Sequence, residues 1–125
     1  MRAPTLFAAL ILALTVPAVA EAQSLGLDPL ADRFAACAGR LAGLMEHQWL
    51  ADDPASYATE IRFLSMRELL DATVAPEKAA AALARETEAK FAWERLMRRA
   101  DDEDGGWALA RAEAEIETCT QLLLE

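Results

Sequence analysis

The chain has a single histidine, His47, and that scarcity removes several chemistries at once. A zinc or di-iron centre built on two imidazoles cannot be assembled, and the Glu-x-x-His pairs of di-iron bundles are missing. A Ser-His-acid triad would have to recruit Ser24, Ser56 or Ser65 around His47, and none of these serines stands at a nucleophile elbow. His47 itself shares a helical phase with Arg33 and Arg40, away from the apolar seam of its helix. Met45, Met66 and Met97 carry thioethers that could serve copper or haem. Met97 continues an apolar stripe and Met66 sits among apolar neighbours, so all three read as core filler. Covalent haem attachment needs Cys-x-x-Cys-His, which the sequence lacks. The expectation is no metal and no cofactor.

Lysine is nearly as scarce, with only Lys78 and Lys90, and the formal net charge is −9. Phosphate backbones are bound by clusters of Lys and Arg that release counterions. The one basic knot, Arg95 with Arg98 and Arg99, lies beside Glu94 and the acidic run Asp101–Asp104. Nucleic acid is therefore not expected as a partner, and anionic membrane surfaces are disfavoured for the same reason. The acidic run itself invites a calcium reading, because Gly106 falls sixth when counted from Asp101. It fails elsewhere: Gly105 occupies the fifth ligand position and Ala112 the twelfth. Its carboxylates read as a solvated loop ahead of a helix start.

A run long enough to span a bilayer is also lacking. Thr5–Val16 is apolar but falls short of the ~20 residues a transmembrane helix needs, and Pro4 and Pro17 bracket it. Met1-Arg2 precedes it, and the small-x-small signatures Ala18-Val19-Ala20 and Ala20-Glu21-Ala22 come after it. This is the order of a secretory leader. Residues 1–22 are expected to be removed, leaving 23–125 as one domain, periplasmic or secreted, with no membrane insertion after cleavage.

Glycine and proline number five each, and the rest is rich in Ala, Leu, Arg and Glu, which lose little side-chain entropy in a helix. The few breakers mark boundaries. Asp28-Pro29 and Asp53-Pro54 pair a capping carboxylate with a proline already at helical φ, Pro76-Glu77 reads similarly, and Asp104-Gly105-Gly106 precedes a fourth start. The predicted helices span 28–50, 54–73, 76–101 and 106–124. Such short loops predict an all-α, up-down-up-down four-helix bundle.

Leu30, Phe34, Cys37, Leu41, Leu44 and Gln48 form a seam on the first helix, as do Leu109, Ala112, Ile116, Cys119 and Leu123 on the fourth. Ala35, Gly39 and Gly43 line a small-residue groove beside the first seam. The third helix carries a stripe of Ala79, Ala82, Leu83, Ala89, Trp93, Leu96, Met97 and Ala100, with Arg85, Glu88, Arg95 and Arg99 outward. The second is apolar on two sides: Tyr57, Ile61 and Leu64 on one, Phe63, Met66, Leu70 and Val74 nearly opposite. A helix of that kind is either central or contacts something beyond its own bundle.

Cys37 and Cys119 are the only cysteines, an even count that suits an oxidising compartment. Cys37 lies ~13 Å along the first helix and Cys119 ~9 Å from the far end of the fourth, which puts them at nearly one height in an antiparallel pair. A structural disulfide is expected. The functional expectation is a non-enzymatic periplasmic interaction module, an accessory subunit of an envelope complex. It would bind another protein, or a second copy of itself, through Phe63, Met66 and Leu70. Two further readings compete with it: a bundle holding a small apolar or haem-like ligand in its core, and an enzyme whose site is built from scattered carboxylates.

Overall fold

A computed structural model describes residues 26–124; the expected leader lies outside them. Four helices and no strand occur among the described residues: α1 (Pro29–Leu50), α2 (Ser56–Thr73), α3 (Ala79–Ala100) and α4 (Gly106–Leu122), with a 3-10 turn at Pro76–Lys78. None of these helices is long and apolar enough to cross a membrane.

The boundaries follow local chemistry. At the start of α1 the Asp28 carboxylate accepts from the Leu30 N–H at 2.8 Å, and Pro29 occupies the first turn. Asp53 accepts from the Ala55 N–H at 2.9 Å, but Pro54 and Ala55 are spent in a turn, so α2 begins at Ser56. Pro76 opens the 3-10 turn that leads into α3, and the extended Ala75 before it is the conformation a residue preceding proline prefers. Gly105 closes the α3–α4 connection. A Cβ there would fall on the Arg99 carbonyl oxygen and lie 2.8 Å from that of Ala100, so only glycine fits.

The packing is not that of an even square. Helix α1 is the hub, packed extensively against α3 and α2 and more narrowly against α4, and α4 leans mainly on α3. In a square up-down-up-down bundle α1 and α3 would be diagonal. Here they make the most extensive contact, and α2 and α3 barely touch. The reason is the small-residue groove. A Cβ on Gly39 would fall on the Glu86 carbonyl oxygen and lie 2.8 Å from the Lys90 nitrogen, and one on Gly43 would come within 3.0 Å of the Trp93 ring. With hydrogen atoms at those positions, the backbone of α3 settles directly onto α1. Ala31, Ala35, Ala36, Ala38 and Ala42 are buried around the rest of the helix. The sequence left α2 either central or in contact with something beyond the bundle; the central helix is α1.

Leu41, Met66, Leu70, Cys37 and Cys119 form the middle of the core, with Leu27 and Leu122 at its edge. The expected bridge is present: Cys37 and Cys119 are joined, their Cα atoms 5.4 Å apart, and both are buried. Trp93 ties α3 to α4, its indole N–H donating to the Ala112 carbonyl at 3.2 Å inside the core. Parts of the expected stripes turn outward instead. Leu30, Leu83 and Leu109 are exposed, because each lies at the flank of its helix where no neighbour covers it.

Candidate functional site

Helix α2 presents two apolar faces, and the structure decides between them. Met66 and Leu70 are in the core, at 0% and 3% exposure, and Phe63 is half-buried against them. These three residues, expected at a partner surface, are therefore interior. Their side chains fill the space left over the alanines of α1. The opposite face is the one in solvent: Tyr57, Ile61 and Leu64 are exposed at 73%, 67% and 52%. One signal in the sequence separates the faces. The inward stripe, Ser56-Thr59-Phe63-Met66-Leu70-Thr73, contains no charged residue, whereas Glu60, Glu68 and Asp71 accompany the outward one. Thr59 tolerates full burial because its hydroxyl donates to the Ala55 carbonyl at 3.2 Å. Near the α1–α2 turn, Trp49 and Leu50 are also exposed.

Two polar contacts cross between helices, one from α2 to α3 and one from α3 to α1. The Arg67 guanidinium donates to both oxygens of the buried Glu86 carboxylate at 3.0 Å. The Lys90 ammonium donates to Glu46 at 2.7 Å, and that bond, with the added charge of Glu94, raises its pKa above the ordinary lysine value. His47 is exposed, its ring edge-on to Trp93 at a centroid distance of 6.2 Å. Among the described residues no three His, Cys, Asp or Glu side chains converge in a way that could hold a metal.

The second concentration of surface chemistry lies between α3 and α4. A groove of about 560 Å³ is lined by Arg40, Arg85, Arg95, Arg99 and Arg111, with Glu115 the one carboxylate among its walls. Ala89, Ala92 and Leu96 form its floor and Trp107 its end. Glu115 serves two arginines, Arg111 at 3.0 Å and Arg40 at 3.4 Å. Arg85 is held by Asp32 at 2.9 Å. Arg99 donates to Asp102 and Asp104 at 2.8 Å each and stands 5.8 Å from the centre of the Trp107 ring. That guanidinium holds the Asp104 carboxyl below its usual range. Arg95 makes no ion pair among the described residues. Sequence reasoning placed Arg85, Arg95 and Arg99 outward without bringing them together. The signal it passed over is that Arg111 and Glu115, one turn apart on the next helix, face the same side.

The chain matches no protein-family model, and no curated protein and no solved structure matches it.

Proposed function

We propose that this protein is a non-enzymatic interaction module of the periplasm or extracellular space, docking on a partner protein through the outer face of α2. The observation that carries the reading is the exposure of Tyr57, Ile61 and Leu64 on a helix whose other face packs on α1. Burying side chains of that size is worth about 1.5–3 kcal/mol each, so three of them reach the scale of a roughly micromolar contact before ordering costs. The buried disulfide fits an oxidising compartment. A net charge of −9 makes self-association repulsive at low salt and favours a different protein as the occupant. A ligand held inside the bundle core has less support, since α3 closes directly onto Gly39 and Gly43.

The test is the double substitution Ile61→Glu with Leu64→Glu, in chain exported from its own host envelope. Capture of the native partner should be lost while the thermal midpoint stays nearly unchanged, as expected of exposed positions. Unchanged capture would remove α2 as the docking face. A monomer–dimer equilibrium abolished by the same substitutions in sedimentation would replace the foreign partner by a second copy.

A further inference from the structure

We infer that the groove between α3 and α4 is a binding site for a small aromatic organic anion, its carboxylate received by Arg40, Arg95 and Arg111 and its ring laid over Leu96 against Trp107. The site is separate from the outer face of α2 and does not rest on that reading. In a chain of net charge −9, five arginines line this one groove with a single carboxylate among the wall residues. The charges are not spread evenly along it. Arg85 and Arg99, at the two ends, have acidic partners of their own outside the lining. In the middle, Arg40 and Arg111 share Glu115, and Arg95 has no carboxylate among the described residues. Three of the groove's guanidinium groups therefore have one carboxylate between them, an excess of positive charge that a second anion would balance. Guanidinium is suited to receive it, since its planar fork matches a carboxylate with two parallel hydrogen bonds.

The remainder of the groove is apolar and sets the shape of the body attached to that head group. Trp107 lies two helical turns from Glu115, on the order of 12 Å along α4. Trp107 is 58% exposed, with the Arg99 guanidinium beside its ring. A flat ring system can lie on Leu96 and Ala92 and meet the indole, with offset or edge contact adding to the area buried. The volume of about 560 Å³ falls within the roughly 300–1,000 Å³ of small-molecule sites. One acidic head and a flat apolar body fit these features better than a chain of several acids would, because the cationic excess is confined to the middle.

Titration of the full mature protein with 2-naphthoate, monitored by amide and indole NMR, tests the assignment. The expected result is saturable shifts at Ala92, Leu96, Arg111 and the Trp107 indole. Binding should weaken at least tenfold when 2-naphthalenemethanol replaces the acid, and should weaken with added salt. Arg95→Gln with Arg111→Gln should reduce affinity for the acid at least tenfold, and Arg62→Gln on α2 should leave it unchanged. Trp107→Ala, at an exposed position, provides a second weakening variant if the arginine pair alters the fold by circular dichroism. Equal binding of the alcohol, shifts that do not saturate or that centre on α2, or full affinity in both the arginine and Trp107 variants would each overturn the inference.

Discussion

At Gly39 one hydrogen atom sets the distance between two helices. Replacing it by a methyl group forces the backbone of α3 away from α1, because the obstacle is the Glu86 carbonyl rather than a flexible side-chain tip. Gly39→Ala should destabilise the fold by about 1–3 kcal/mol. In a domain of this size that corresponds to a thermal midpoint roughly 4–8 °C lower per kcal/mol, measurable by calorimetry. Gly106 is the internal control. Nothing lies within 4 Å of a Cβ there, and it is the first residue of α4. Gly106→Ala should be neutral or stabilising by up to about 1 kcal/mol. If Gly39→Ala were as mild as Gly106→Ala, the close approach of α1 and α3 would be wrong. The same scale shows why Glu86 escaped the sequence. It interrupts an otherwise small and apolar inward run, and only the Arg67 side chain from another helix makes its burial tolerable.

At the scale of the helix, Lys90 makes stability depend on alkaline pH. Its pKa is raised in the folded chain by the hydrogen bond to Glu46, so its contribution is complete below the ordinary lysine value of 10.5. The contribution is lost as pH rises through the higher folded value. Urea midpoints measured between pH 9 and 12 should fall more steeply for the natural chain than for Lys90→Met; parallel curves would rule out the α1–α3 bridge as a source of that slope. Helix ends were legible in the sequence because the Asp-Pro pairs and the Pro76 start act locally, within one turn. Helix order in space was not. Alanine and glycine on α1 give only a weak apolar signal, yet their small size is what brings two helices onto opposite sides of it. The orientation of α2 was obscured by two apolar stripes of similar strength, and the absence of charge from the Thr59–Met66 face was the feature that distinguished them. The arginine groove draws its walls from three helices, so no single periodicity reveals it.

For the whole molecule the disulfide was the most legible long-range feature, since two cysteines at matched heights on seam positions leave one intramolecular pairing. It joins residues 82 apart in sequence, and closing a loop of that length contributes nominally about 4.5 kcal/mol by restricting the unfolded chain. That is comparable to the whole stability of a small domain. Reduction, or Cys37→Ala with Cys119→Ala, should therefore lower the thermal midpoint markedly, and peptide mapping without reductant should recover the two cysteines joined within one chain. A midpoint indifferent to reduction would mean that helix packing alone holds α4 in place.

The same bond governs how the molecule would respond to tension. A pull applied between the two termini enters α1 near its first turns and leaves through the last turns of α4, and between them the shortest covalent path runs through Cys37 and Cys119. The hub helix beyond Cys37, all of α2 and α3, and most of α4 lie on the bypassed side of that shunt. Some 82 residues, roughly 280 Å of contour length, stay slack however hard the ends are drawn. Mechanically the protein is a short tether carrying a closed ring, and both the outer face of α2 and the arginine groove's α3 wall ride on the ring.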